Sequence, residues 1–91
     1  MSLQSLDKDP NSVLDFLVDW FAWLQVSEVI TDHIVTITGS VVEDSSDHDN
    51  STVTVWLSGG EVGEFTLVTV RVTTNQGRTE DKSFRLVIKE R

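Results

Sequence analysis

Ninety-one residues with a formal charge of −8 and no cysteine make one small domain, and they exclude disulfides, thiolate metal sites and a Cys nucleophile. The acidic balance argues against a nucleic-acid partner, which needs a basic footprint. No apolar run reaches the roughly 20 residues that span a bilayer, and the polar, acidic start lacks the pattern of a signal peptide.

The charge is unevenly spread. Residues 1–70 hold one Lys and twelve acids, net −11, whereas residues 71–91 hold six basic residues and three acids, net +3. The chain reads as an acidic body with a basic C-terminal ribbon. Val and Thr are abundant and Ala is nearly absent, a balance that favours strands over helices.

In chain order, residues 1–12 form an extended polar lead-in, with Asp9-Pro10 favouring an extended or turning backbone. The greasiest stretch follows, "DFLVDWFAWL" at 15–24. In helical steps Val13, Phe16, Leu17, Trp20, Phe21 and Leu24 share a face. In alternation Leu14, Phe16, Val18 and Trp20 share one, with Asp15 and Asp19 opposite. Both patterns fit, so periodicity alone does not decide.

"EVITDHIVTITG" has strand composition, with Val35 and Ile37 inward. Ile30 fits that phase poorly, which predicts a bulge or break near Asp32-His33. "VVEDSSDHDNS" reads as a short apolar pair followed by an acidic loop. "TVTVWLSGG" is a strand with Val53, Val55 and Leu57 on one face and Thr54 and Trp56 on the other. "SGGEVGEF" lies between two strands and has no Lys, so it is a turn and not a phosphate loop.

"FTLVTVRVTT" puts Val68, Val70 and Val72 inward and Arg71 outward. Phe65 and Leu67 are out of phase with them, which predicts a kink near Leu67. "NQGR" is a hairpin turn in which Gly77 supplies a positive φ. The closing "SFRLVIKER" puts Phe84, Leu86 and Ile88 inward, and Arg85, Val87 and Lys89 outward. Short strands separated by turn signals indicate an all-β sandwich or barrel.

Little of this composes an active site. The acids Asp44, Asp47 and Asp49 with Asn50 are hard oxygen ligands, but the Gly and terminal Glu of a calcium loop are missing. His33 and His48 have no nucleophile elbow to serve. The reading is therefore no catalytic residue, no metal and no cofactor. Trp20 belongs to the core. Trp23 and Trp56 are the exposed candidates, either at a subunit interface or, as an alternative function, as sugar-stacking rings of a carbohydrate-binding module.

The order of segments resembles the phage fiber-tail adaptor family. Lys8, Asp9, Pro10, Asp19, Trp20, Trp23 and Leu24 match its first part. Trp56, Leu57, Ser58, Gly59, Gly60 and Gly63 match the second, and Thr73, Thr74, Gly77, Arg78 and Thr79 the third. The resemblance runs from about Lys8 to Arg91. It departs at Leu17 and Phe21, where small or polar residues are common in the family.

The resemblance implies a single immunoglobulin-like β-sandwich over residues 1–91, with about seven short strands. It favours the strand reading of 14–20, with "WFAWL" as a turn or single helical turn. It implies a non-enzymatic structural protein that joins tail components of a phage or prophage virion. Such a protein is made in the host bacterial cytoplasm, and its partners are other tail proteins or a second copy of itself, not nucleic acid or membrane. Leu17, apolar and outward, then points to a subunit contact. Arg71, Arg85 and Lys89 share one outward face if the 75–78 turn pairs the last two strands. That face is a candidate for docking on an acidic neighbour, unless acids such as Asp19 or Glu80 neutralise it within the chain.

Overall fold

The computed structural model describes residues 4–90; residues 1–3 of the lead-in and Arg91 lie outside them. Seven strands are present, β1 (Gln4–Lys8), β2 (Val13–Asp19), β3 (Ile30–Thr38), β4 (Val41–His48), β5 (Thr52–Gly59), β6 (Phe65–Thr74) and β7 (Thr79–Ile88). They form two sheets, ordered β1-β7-β6-β3 and β2-β5-β4. There is no helix among the described residues. The all-β expectation holds, and the stretch at 15–24 is a strand followed by a turn, with the Trp23 and Leu24 amides donating back to the Trp20 carbonyl.

In the constant-type immunoglobulin arrangement, numbered in chain order, the sheets are β1-β2-β5-β4 and β3-β6-β7. Here β1 alone changes sides. It pairs parallel with β7, Leu6 beside Leu86, and leaves β2 at the edge of a three-stranded sheet.

The core lies between the sheets and is built by alternation. Val53, Val55 and Leu57 from β5 meet Val68, Val70 and Val72 from β6 and Phe84, Leu86 and Ile88 from β7, all buried. Phe16 of β2 reaches across to Phe84, ring centroids 5.5 Å apart. Val35 and Ile37 pack on the same cluster from β3, and Trp20 closes one end of it.

Three sequence expectations need adjustment. The pairing of β3 with β6 slips between Ile30 and Asp32, so the bulge sits at Thr31, just before its expected place. β6 has no kink at Leu67: its register with β7 is unbroken from Phe65 to Thr73, and the inward position between Phe65 and Leu67 is taken by buried Thr66. A small residue belongs there because Gly39 packs on it. A Cβ at Gly39 would come within 2.9 Å of the Thr66 Cα, and its φ of +139° also favours glycine. The largest correction concerns the acidic loop, most of which is strand β4, with a register shift at Asp44.

Candidate interaction surface

Side chains of directly paired residues lie on the same side of a sheet. On the outer side of β2-β5-β4 the register aligns Val13 with Ser58 and Val42, Asp15 with Trp56 and Ser45, and Leu17 with Thr54 and Asp47. Leu17 and Trp56 are therefore diagonal neighbours, 63% and 43% exposed. With Val13 and Val42, also exposed, they make an apolar strip on one face. Carboxylates frame it: Asp15 and Asp19 on β2, and Asp44 and Asp47 on β4, are all exposed. The Asp44 carboxylate accepts a 2.8 Å hydrogen bond from the Ser58 hydroxyl.

The other sequence candidates do not join this face. Trp23 is half-buried at one end of the sandwich, edge-on to Trp20 at 5.5 Å and under the Arg78 guanidinium at 4.2 Å. Of the two rings considered for stacking on a sugar, only Trp56 is exposed. Arg71, Arg85 and Lys89 lie on the far side of the molecule, on the outer face of the four-stranded sheet. Arg71 forms two hydrogen bonds to Asp81, 2.8 and 3.2 Å, and Lys89 lies 3.6 Å from Asp7. The Arg85 guanidinium stands over the Phe65 ring at 5.6 Å. Arg71 and Lys89 thus have carboxylates within the chain, namely Asp81 and Asp7 and not Asp19 or Glu80. Exposed pairs of this kind contribute little to stability.

The two histidines meet where the edge of one sheet approaches the edge of the other. His33 Nδ1 and His48 Nδ1 are 2.6 Å apart, and His33 Nε2 lies 2.8 Å from the Ser46 hydroxyl. One ring must donate and the other accept, so the pair stitches β3 to β4. Of the acids near His48, Asp44 and Asp47 lie on β4, and Asp49 lies in the turn after it, where its carboxylate accepts from the Ser51 and Thr52 amides. No group of three or more His, Cys, Asp or Glu able to hold a metal occurs among the described residues.

Sequence reasoning missed the polar brace under the 20–29 loop. The Glu28 side chain is fully buried. Its Oε2 accepts from the Thr74 hydroxyl at 2.6 Å and from Arg78 Nε at 2.8 Å, and its Oε1 from the Gln25 amide at 2.8 Å and from Arg78 Nη2. Arg78 also donates to the Trp23 carbonyl at 3.0 Å. Asn75 holds the Val29 amide and the Ser27 carbonyl. Residues 75–78 form the turn anticipated for "NQGR", with Gly77 at φ +78°. Above this brace Phe21 and Val26 are exposed beside a groove of about 590 Å³.

The brace should be acid-sensitive. Hydrogen bonds from Arg78, opposed by burial, lower the Glu28 carboxyl from its ordinary 4.5 to about 2. A depressed carboxyl contributes stability above its unfolded value and loses it as pH falls through the folded one. The melting temperature should therefore drop between about pH 4.5 and 2. Glu28→Gln should be less stable at neutral pH, with a flatter melting profile across that window. Parallel profiles for the two proteins would show that Glu28 is not the acid-labile group.

By its fold the chain is a small two-sheet β domain, with an apolar strip framed by carboxylates on one face and braced loops at one end. Within that class it belongs to the family of the podophage GP4 fiber-tail adaptor protein gp77, which matches residues 8–87. The match covers most of the chain and agrees with the resemblance carried by its Lys-Asp-Pro, Trp-Leu-Ser-Gly-Gly and Gly-Arg-Thr segments. The family name is that of a structural component of a phage tail. No curated protein matches the chain.

Proposed function

We propose that this protein is a rigid, non-enzymatic connector that joins components of a phage tail, with the outer face of β2-β5-β4 as one docking surface. The observation that carries this reading is the exposure of Val13, Leu17, Val42 and Trp56 together on one face. Isolated exposed apolar residues need no explanation, but a contiguous group rimmed by polar residues marks an interaction site. A Trp near the middle of such a patch is the residue type that most often dominates binding. The charged face with Arg71, Arg85 and Lys89 is a second, opposite surface on which a neighbouring tail protein or another copy can rest. The chain is made in the infected host cell and functions in the virion tail.

Leu17→Asp combined with Trp56→Ser changes only outward side chains, so the melting temperature should stay within a few degrees of the original. Incorporation of that variant into tails should be lost when it is supplied to a phage lacking the native gene. Normal incorporation of a folded double variant would remove this face from the reading.

A further inference from the structure

We propose that the open edge of β2 accepts a strand from a different tail protein, one that alternates apolar and basic residues. This rests on the connector reading above and specifies how one partner is held.

The strand order supplies the first part of the argument. β1 pairs with β7 and not with β2, so the lane beside β2 is empty among the described residues. Alternate residues of β2 therefore turn their N–H and C=O groups to a side where no strand lies, the template on which another chain can pair.

The contrast with the other edges is the second part. β4 carries a register shift between Glu43 and Ser45. β3 has its own register shift after Ile30, and the His33–His48 pair joins it to β4. β1 runs within two residues into Pro10. Bulges and proline are among the usual devices that discourage edge pairing. β2 has no Lys, no Pro and no register shift over its seven residues. Its inward-facing Leu14 is still 38% exposed, because no side chain flanks it from the empty lane.

Charge selects the occupant. The outward side chains of β2 are Val13, Asp15, Leu17 and Asp19, and the rest of that face adds Asp44 and Asp47 of β4. An incoming strand needs apolar residues on its inner side, over Leu14 and Phe16, and Lys or Arg on its outer side, opposite Asp15 and Asp19. A second copy fits poorly. Two β2 strands paired antiparallel about Phe16 would set Asp15 opposite Leu17 and Val13 opposite Asp19, and would crowd four carboxylates onto one face.

The test uses the full chain and a capped eight-residue peptide alternating Val and Lys. Its comparison is a peptide of equal composition with the four Lys grouped at one end. Amide exchange followed by NMR should slow at alternate residues of Val13–Asp19 with the first peptide only, and its affinity should exceed that of the grouped peptide by about tenfold. Exchanging both Asp15 and Asp19 for Lys leaves the core untouched and should transfer the preference to a peptide alternating Val and Glu. Equal binding of the two Val–Lys peptides would overturn the proposal. So would protection at β1, β3 or β4 instead, or a dimer paired through β2 in the absence of peptide. If the peptide fails while tail incorporation still depends on Leu17 and Trp56, the strand proposal falls and the connector reading stands.

Discussion

Trp20→Ala should unfold the domain at physiological temperature or leave it barely folded. The side chain is fully buried at the end of the core, and truncating a buried Trp costs about 3–5 kcal/mol. A small domain has only about 5–15 kcal/mol to lose. At about 4–8 °C per kcal/mol for this size, the melting temperature should fall by roughly 15–30 °C. Trp20 is more than filler. Its amide donates to the Ser51 carbonyl at 2.8 Å, its ring takes the edge of Trp23, and Lys82 Nζ stands 4.8 Å from the ring centre while donating to the Asp19 carbonyl. Removing the ring releases both the core end and the loop that carries Phe21 and Val26. Trp20→Phe provides the control. The indole N–H has no hydrogen-bond partner among the described residues, so Phe keeps most of what Trp supplies and should cost clearly less than Ala. Equal losses for Phe and Ala would show that the N–H, not the packing, is what matters.

The parts of the fold that were legible in the sequence are those in which apolar residues alternate without interruption. β5 and β7 each put three consecutive inward positions on large apolar residues, and so does β6 from Val68 onward. Nearer its start β6 breaks that pattern, because Thr66, a polar residue, faces inward where Gly39 leaves no room for more. β4 breaks it for the same reason on a larger scale. After Val41 its inward side chains include Ser46 and His48, which face His33 at the rim of the sandwich and not the apolar centre. Polarity then carries no period of two. β1 was hidden because its most buried described side chain is a lysine.

The candidate face was legible in part. Alternation placed Leu17 and Trp56 outward, but only the pairing of β2 with β5 makes them neighbours, and pairing is a long-range property. The Glu28–Arg78 brace joins residues fifty positions apart, and no local spacing announces it. The ribbon of Arg71, Arg85 and Lys89 was placed on the right face by alternation. Its internal partners depend on which acids the hairpin and the first strand bring alongside.

Lys8 yields the second large effect. Its side chain is fully buried, and its three ammonium donors go to the carbonyls of Asp9, Ser12 and Gly59 at 2.9, 2.7 and 2.7 Å. Burial pushes the ammonium below its ordinary range, with Asp9 and Asp44 opposing the shift. The charge is tolerated because every donor is satisfied. In return it fastens the 9–12 turn, where the chain leaves one sheet for the other, to the end of β5. Asp9 and Ser12 complete that turn, the Ser12 amide and hydroxyl both donating to the Asp9 carbonyl. This gives the Lys-Asp-Pro segment a physical role: it sends β1 to β7 and so keeps the lane beside β2 open. Lys8→Met retains the apolar stem and deletes the ammonium. A hydrogen bond from a charged donor contributes about 1.5–3 kcal/mol, and the Ser12 and Gly59 carbonyls both lose theirs, so the loss should reach about 3–5 kcal/mol. Urea unfolding should show it as a lower midpoint at unchanged slope. Amide exchange should locate it first at β1 and at the parallel pairing of Leu6 with Leu86. A change below about 1 kcal/mol, the level of an ordinary surface substitution, would mean that the Ser12 and Gly59 carbonyls find other donors and that the turn does not depend on Lys8.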